Sequence, residues 1–295
     1  MSAQAPTFPG SVCVVTGTTS GIGEVTAREL ARRGGRLVLV ARSAARAEAV
    51  ASRIRDELSG VEVDAVIADL ARLGDVRRAA AAIGQRHGRV DVLVNNAGLV
   101  NLRREVTEDG HEMVFAVNHL APFLLTRLLE APLHAAPAAR VVNVASEAHR
   151  FGGIDLDDPG YAHRRWRPMQ AYGQSKLANI LFTRELARRW AQGPVTANCL
   201  HPGAVATGLG TNNGWFGRLA MGLLGPLFKT PEQGAETTIH LATSPDRATT
   251  SGEYFADCRP KRPSSSALDD DLALRLWRAS EAWTGLHGPI VRSVD

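Results

Sequence analysis

Tyr172 and Lys176 lie four residues apart in the run Ala171-Tyr172-Gly173-Gln174-Ser175-Lys176. Apolar residues continue at helical spacing as far as Leu186, so both side chains should lie on one face of a helix. An ammonium group beside a phenol favours the phenolate and draws the pKa of tyrosine down from about 10. Tyr172 is therefore a candidate proton donor or acceptor for an alcohol or a carbonyl group. The alternative is a chance pair of helix neighbours, but the 34 basic residues include only three lysines, Lys176, Lys229 and Lys261.

A second set of residues could hold a diphosphate. An apolar run over residues 11–16 ends in Gly17, and Thr19, Ser20, Gly21, Ile22 and Gly23 lead into a helical pattern that continues to Leu30. This spacing predicts a strand, a glycine turn and a helix. Backbone N–H groups at such a helix N-terminus can face a dinucleotide, although purely structural turns also use glycine.

The next two strands are predicted over residues 36–40 and 61–67, and each is followed by a polar residue that could contact a nucleotide. Arg42 follows the first strand with no acidic residue beside it, which favours pairing with a 2′-phosphate and so NADP(H) over NAD(H); the alternative is an ordinary surface arginine. Asp69, before Leu70, could accept the adenine amino group or could cap the following helix.

Later strands deliver further polar residues to the same edge of the sheet. The strand at 90–94 runs into Asn95, Asn96, Ala97 and Gly98, which suit a tight backbone crossing beside a ligand or an ordinary turn. The strand at 139–146 ends in Ser146, a candidate hydrogen-bond donor to a substrate oxygen. The strand at 195–200 is followed by a sharp turn at Pro202 and Gly203.

Asn118 is unusual because it sits in an otherwise apolar helical segment, 112–129. A mid-helix asparagine can bend the helix and offer a polar group to a buried water, or it can lie on the solvated face.

Composition and length limit the function. The 295 residues should form one domain over 11–285, after a lead-in at 1–10 and before a tail at 286–295. The net charge of +4 comes from arginines spread along the chain among acidic residues, which argues against nucleic-acid binding. The segment 208–230 mixes glycine with large apolar residues and is interpreted as a lid over an apolar substrate, or as an oligomer contact. No element is assigned to the basic tail through Trp277 and Trp283.

Three further expectations concern environment. Cys13, Cys199 and Cys258 are predicted to be free thiols in a reducing cytoplasm. No histidine pattern indicates a metal site. The N-terminus has neither a signal peptide nor a membrane anchor.

Together, these motifs resemble the short-chain dehydrogenase/reductase superfamily, in order and in spacing, over residues 10 to 285. The runs Val117-Asn118-His119-Leu120 and His201-Pro202-Gly203-x-Val205-x-Thr207 look most like the retinol-dehydrogenase-like branch. The resemblance implies an α/β fold: a single Rossmann-type doubly wound domain with a seven-stranded parallel sheet flanked by helices.

The resemblance also implies roles for individual residues. Tyr172 would be the general acid/base, Lys176 would bind the nicotinamide ribose and lower the pKa of Tyr172, and Ser146 would hold the substrate oxygen. Asn118 would keep a water in line for proton relay. The full set implied to bind the cofactor is Gly17, Thr19, Ser20, Gly21, Ile22, Gly23, Arg42, Asp69, Leu70, Asn96, Ala97, Gly98, Tyr172, Lys176, Pro202, Gly203, Val205 and Thr207.

The expected function is a cytoplasmic, NADP(H)-dependent oxidoreductase for an apolar alcohol, ketone or aldehyde, assembled as a homodimer or homotetramer. NAD(H) remains possible as cofactor. Two alternatives are non-redox chemistry on the same acid/base pair, such as dehydration or cyclisation, and a catalytically silent dinucleotide-binding regulator.

Overall fold

A computed structural model describes residues 8–205 and 229–286. Thr207 and nearly all of the predicted lid at 208–230 lie outside the described residues.

The fold is built on one sheet whose spatial order is β3-β2-β1-β4-β5-β6-β7-β8. Its strands are β1 Val12–Thr16, β2 Arg36–Ala41, β3 Val63–Ile67, β4 Val92–Asn95, β5 Ala139–Val144, β6 Val195–His201, β7 Tyr254–Ala256 and β8 Arg259–Pro260. The first seven pair in parallel, and β8 pairs antiparallel with β7. The predicted seven-stranded parallel sheet is confirmed, with a two-residue antiparallel strand added at its edge.

Helices cover both faces of this sheet. The α-helices are α1 Gly21–Arg32, α2 Ala44–Glu57, α3 Leu73–His87, α4 Met113–Phe115, α5 Ala121–Leu128, α6 Glu130–His134, α7 Pro168–Arg189, α8 Pro231–Thr243 and α9 Asp270–Trp283. Every residue of β1, β4 and β5 is buried, as expected for parallel strands with helices on both sides. The two faces form separate hydrophobic clusters, one beneath α1 and α2 and the other beneath α3, α5, α7 and α9.

The helical segment around Asn118 contains a π-turn. Residues Ala116–Leu120 form this turn between α4 and α5, and Glu112 caps the segment by accepting the Phe115 N–H at 2.8 Å. The sequence indicated one helical segment here, in which Asn118 could bend the helix. The structure instead places Asn118 in a wider π-turn, a common feature of functional sites.

Helix α7 is the longest of the described helices and carries Tyr172 in its second turn. Pro168 at its first position suits a helix start because it has no N–H to leave unpaired, and the buried face runs from Ala171 to Leu186. The chain between β5 and α7 contains a 3₁₀ turn at Glu147–Phe151.

The C-terminal part differs most from the sequence expectation. Strand β7 is not the edge of the sheet, because it forms a hairpin with β8 across Asp257 and Cys258, at φ 49° and 60°. Positive φ at both positions is typical of a type I′ hairpin turn, which usually uses Asn-Gly or Asp-Gly, so the pair Asp-Cys was not recognised from sequence. Helix α9 was also missed.

Candidate active site

A cleft of ≈ 570 Å³ opens at the carboxyl ends of the parallel strands, beside the point between β1 and β4 where the strand order reverses. Ligands bind at this point in open α/β sheets. Most of the predicted site residues line it: Gly17, Thr19, Ser20, Ile22, Gly23, Arg42, Asp69, Leu70, Asn96, Ala97, Gly98, Ser146, Tyr172, Lys176, Pro202, Gly203 and Val205. Gly21 and Asn118 do not line the cleft, and Thr207 lies outside the described residues.

The glycine turn after β1 needs glycine for two different reasons. Gly17 and Gly21 have φ of 72° and 60°, which other residues rarely adopt. Gly23 has no such φ, but a Cβ there would overlap the Gly17 carbonyl oxygen and the amide of Asn96. The turn is therefore a compact backbone cradle at the N-terminus of α1, where N–H groups and the helix dipole favour a phosphate.

Asn96 fixes this cradle from the neighbouring strand. Its Nδ2 donates to the carbonyl oxygens of Thr16 and Gly17, at 2.9 and 3.3 Å. The Thr16 hydroxyl in turn accepts the backbone N–H groups of Asn96 and Ala97, at 3.1 and 3.0 Å. The end of β1 and the end of β4 are thus held by side chains, and Thr16 is a positioning residue that sequence reasoning did not single out.

Two arginines mark one end of the cleft. Arg42 lies just after β2, and Arg46 lies one turn further along in α2, whose first turn is capped by the Ser43 hydroxyl accepting the Arg46 N–H at 3.4 Å. Both side chains are exposed, and neither forms an ion pair with any carboxylate among the described residues. Sequence reasoning found Arg42 and missed Arg46, although their i, i+4 spacing was a usable signal.

Asp69 lines the cleft and also has a structural role. Its Oδ1 accepts the Ala71 N–H at 3.1 Å, a local turn ahead of α3, while its own N–H is accepted by Asp75 at 3.1 Å. Asp69 therefore stabilises the turn before α3 but does not cap the helix, whose N-cap is Arg72, and the contact with an adenine amino group stays a prediction.

Ser146, Tyr172 and Lys176 meet at the other end of the cleft. The Ser146 hydroxyl accepts the Ala148 N–H at 3.2 Å, and it lies close enough to the Tyr172 phenol to favour the phenolate by hydrogen bonding. The Lys176 Nζ, on a side chain only 3% exposed, donates to the Val144 carbonyl at 2.8 Å. It lies 5.6 Å from the centre of the Tyr172 ring. The sequence prediction that both reactive side chains lie on one helix face is confirmed.

Burial dominates the electrostatics of this pair. It raises the pKa of Tyr172 to about 12, and the hydrogen bond with Ser146 opposes that rise only in part. It lowers the pKa of Lys176 to about 8. The net pKa of Tyr172 is therefore raised, not drawn below 10 as the sequence predicted, because desolvation of a phenolate is the largest effect on this partly exposed side chain. At neutral pH the pair is phenol and ammonium.

Asn118 lies behind the cleft. It is fully buried, which excludes the solvated-face alternative. Its side chain exchanges two hydrogen bonds with the backbone of Leu99, at 2.8 and 3.0 Å, and donates to the Ser175 hydroxyl at 3.0 Å. Ser175 donates onward to the Tyr172 carbonyl at 2.7 Å. Asn118 thereby ties the loop after β4 to the turn of α7 that carries Tyr172.

Part of the cleft wall is apolar. The contributing side chains that the sequence did not single out are Leu99, Val100, Met113, Val117 and Met169, and Met169 is 50% exposed. They come from the loop after β4, helix α4, the π-turn around Asn118 and the first turn of α7. No local pattern distinguishes them from core residues, so only the folded chain identifies them.

This combination of a doubly wound sheet, a glycine cradle and a cleft at the strand-order reversal defines a dinucleotide-binding α/β protein. Comparison with known proteins agrees. The short chain dehydrogenase family matches residues 11–214. Human retinol dehydrogenase 13 is 44% identical over 291 residues, covering 97% of this chain and 88% of that protein. Human retinol dehydrogenase 14 is 42% identical over 298 residues, covering 94% and 87%.

Solved structures show the same relationship. A protein of Mycobacterium paratuberculosis, described as uncharacterised, superposes with a TM-score of 0.80 at 35% identity, covering 98% of both chains. The L-sorbose reductase of Gluconobacter frateurii, complexed with NADPH and L-sorbose, gives a TM-score of 0.68 at 25% identity, covering 85% of this chain and 96% of that one. The chain belongs to the short chain dehydrogenase family of oxidoreductases and is similar to retinol dehydrogenases, as the motifs indicated.

Across residues 8–205 and 229–286, none of the helices combines the length and the apolar character needed to cross a bilayer. Within those same ranges, no group of three or more His, Cys, Asp or Glu side chains is arranged to hold a metal ion.

Proposed function

We propose that this protein is an NADP(H)-dependent oxidoreductase that interconverts an apolar alcohol and the corresponding ketone or aldehyde, with Tyr172 as general acid/base. The observation that carries the proposal is the convergence of the Ser146 hydroxyl, the Tyr172 phenol and the buried Lys176 ammonium in one cleft. A bound nicotinamide would give or accept the hydride, and the protein provides position and protons.

The cofactor fits the residues present. Glycine is required at positions 17 and 23, where a Cβ would collide with backbone or with Asn96, and it keeps the turn compact at the N-terminus of α1, where a phosphate is favoured. At the other side, Arg42 and Arg46 are exposed cations without carboxylate partners among the described residues, which suits a 2′-phosphate. The NADPH bound to the related L-sorbose reductase supports the same preference.

The proton chemistry follows from the hydrogen bonds. In reduction, Tyr172 donates its phenolic proton to the substrate oxygen as negative charge develops there. The Ser146 Oγ accepts the Ala148 N–H, so its own proton is available for the substrate oxygen. Lys176, protonated at neutral pH, places a positive charge near the phenol and stabilises the phenolate that forms. In oxidation, the same groups act in reverse.

The substrate class follows from the apolar wall. The cleft wall contains the apolar side chains of Leu99, Val100, Met113, Val117 and Met169. Burying them against an apolar substrate is favourable, because apolar surface is removed from water. Retinol dehydrogenases 13 and 14 are named for an apolar alcohol, which agrees with this chemistry. We also propose that residues 11–285 form the catalytic domain, that it assembles as a homodimer or homotetramer, and that it works in the reducing cytoplasm.

The free cysteines are consistent with a reducing compartment. Cys13 and Cys199 are buried and Cys258 is partly exposed, and none forms a disulfide with another described residue. Burial raises the pKa of Cys199 to about 12, so this thiol is unreactive at neutral pH.

The test follows NADPH absorbance with a panel of apolar aldehydes and ketones, comparing the wild type with Tyr172→Phe. The variant should lose at least about a hundredfold in kcat, because general acid catalysis contributes roughly 10²- to 10⁴-fold. Tyr161→Phe is the matched control, because Tyr161 is a buried tyrosine that does not line the cleft, and it should leave kcat unchanged. Equal turnover by Tyr172→Phe would refute the assignment. Product formed without loss of NADPH would instead indicate non-redox chemistry.

A further inference from the structure

The first turn after β5 contains a buried histidine that the proposed chemistry does not use. His149 is fully buried, and its ring meets the ring of Tyr254 edge to face at 5.3 Å between centroids. The Nδ1 atom lies 2.7 Å from the Ser146 carbonyl oxygen, and the Ser264 N–H donates to Nε2 at 3.0 Å. One imidazole therefore bridges the residue before the 3₁₀ turn and the segment that follows β8.

These two bonds fix the form of the ring. A backbone N–H can only donate, so the Nε2 that accepts the Ser264 N–H carries no proton. The proton of the neutral ring is then on Nδ1, where it donates to the Ser146 carbonyl. Burial lowers the pKa of His149, which keeps the ring neutral and preserves this tautomer.

His149 controls most of the hydrogen bonding to the Ser146 backbone. The Ser146 carbonyl accepts both the ring Nδ1–H and the backbone N–H of His149, the latter at 3.1 Å. The Ser146 hydroxyl accepts the Ala148 N–H from the same turn. The position of the Ser146 Oγ therefore depends on the 3₁₀ turn. The His149 ring connects that turn to Ser264 through the Nε2 hydrogen bond.

The same turn lies against the part of α7 that carries Tyr172. A Cβ on Gly173 would lie 2.8 Å from the Gly152 nitrogen, and a Cβ on Gly152 would overlap the backbone of Gly173 and Gln174. The backbones of Gly152 and Gly173 are in direct contact, so the position of the turn on α7 sets the distance from Ser146 to Tyr172. His149 supplies a second restraint on the turn through its bond with the Ser264 N–H.

We propose that His149 is a positioning residue for the oxidoreductase reaction: its neutral Nδ1–H tautomer clamps the Ser146 turn between α7 and the segment after the β7–β8 hairpin, and so sets the Ser146 hydroxyl against Tyr172. This inference rests on the proposed function, because it assigns His149 an effect on the reaction through Ser146. The clamp itself is a structural claim that can be measured without turnover.

Three variants separate the contacts of the ring. His149→Asn retains a donor near the position of Nδ1, His149→Gln can place a polar group near Nε2, and His149→Phe retains ring packing with neither bond. We expect His149→Phe to lower kcat on the order of 10- to 100-fold while NADPH affinity stays within about twofold, because a misplaced reacting group affects chemistry more than cofactor binding. His149→Asn should recover most of kcat, and His149→Gln should recover little.

The matched control is His134→Phe. His134 also has Nδ1 on a backbone carbonyl, that of Glu130 at 2.9 Å, and meets an aromatic ring, that of Trp190, edge to face at 4.9 Å. It lies in α6, just before the amino end of β5, whereas the cleft lies at the carboxyl ends of the strands. It should leave kcat unchanged.

A double-mutant cycle with Ser146→Ala tests whether His149 acts through Ser146. In that background, His149→Phe should cost no more than about twofold in kcat, because the hydroxyl it positions is already gone. Losses that multiply independently would overturn the proposal, as would a His149→Asn variant no better than His149→Phe.

Hydrogen exchange over residues 144–152 gives the readout that does not need activity. Exchange should be faster in His149→Phe than in the wild type and unchanged in His134→Phe. If the wild type turns over no carbonyl with NADPH, the proposed function fails, and the exchange data alone then decide the clamp. Wild-type exchange rates in His149→Phe would overturn it.

Discussion

Replacing Gly17 by alanine should damage the nucleotide cradle for two separable reasons. Gly17 has φ of 72°, where a left-handed conformation costs a side chain about 1–2 kcal/mol. In addition, the new Cβ would lie 2.8 Å from the Ala97 Cα and 3.1 Å from the Asn96 Nδ2, closer than a methyl group tolerates. Overpacking of this kind costs about 1–3 kcal/mol. The expected loss in free energy of unfolding is therefore roughly 2–5 kcal/mol.

Gly60 separates the two contributions. Its φ is 78°, close to that of Gly17, but no atom lies within 4 Å of the position of a Cβ. Gly60→Ala should therefore show the backbone strain alone, about 1–2 kcal/mol, with no change in nucleotide binding. The excess loss in Gly17→Ala measures the clash with the end of β4.

The assay is urea unfolding together with NADPH titration. Displacement of the cradle N–H groups should weaken NADPH binding in Gly17→Ala by at least about tenfold, equivalent to about 1.4 kcal/mol. Gly60→Ala should bind NADPH like the wild type. The reasoning is refuted if both variants lose the same stability, or if Gly17→Ala binds NADPH with unchanged affinity.

Three other predictions use charge. Arg42→Ala should raise KM for NADPH by about tenfold, the low end for a charge-assisted bond at an exposed site, and leave KM for NADH nearly unchanged; equal effects on both cofactors in steady-state kinetics would contradict a 2′-phosphate contact. The value of kcat/KM for carbonyl reduction should fall as pH rises through about 8, because the ammonium of Lys176 is lost there while Tyr172 stays protonated up to about 12. A flat pH profile up to pH 10 would count against this assignment. Burial lowers the pKa of His119 from 6.5 to about 3, so the unfolded chain binds a proton between these values that the folded chain excludes. The free energy of unfolding of the wild type should therefore decline, relative to His119→Gln, as pH falls from 7 to 5, and parallel urea-unfolding results at the two pH values would exclude this effect.

The predictable part of the site came from local patterns and one rule of topology. The apolar strand, the glycine turn and the helix at the N-terminus were each readable from spacing, because turn glycines and helix periodicity are properties of neighbouring residues. The carboxyl ends of parallel strands lie at one edge of a sheet, so residues after successive strands were expected to meet. Gly17, Asn96, Ser146 and Tyr172 do meet in the cleft.

Other features depended on contacts between distant parts of the chain. The β7–β8 hairpin turns on Asp257 and Cys258, which carry no turn signal, and its stability comes from pairing with the rest of the sheet. Arg46 joins Arg42 at the cleft only because α2 starts directly after β2. The apolar wall around Met169 uses residues that look like core in sequence.

The sequence by itself determined the order of strands and helices, the glycine cradle and the residue types available for proton transfer, since these follow from backbone preferences and from spacing along the chain. Only the tertiary structure decided the protonation of those groups. The pKa of Tyr172 rises rather than falls because desolvation depends on all the atoms packed around the phenol. The tautomer of His149 is likewise set by Ser264, 115 residues away in the chain, whose backbone N–H leaves the ring only one nitrogen with which to donate.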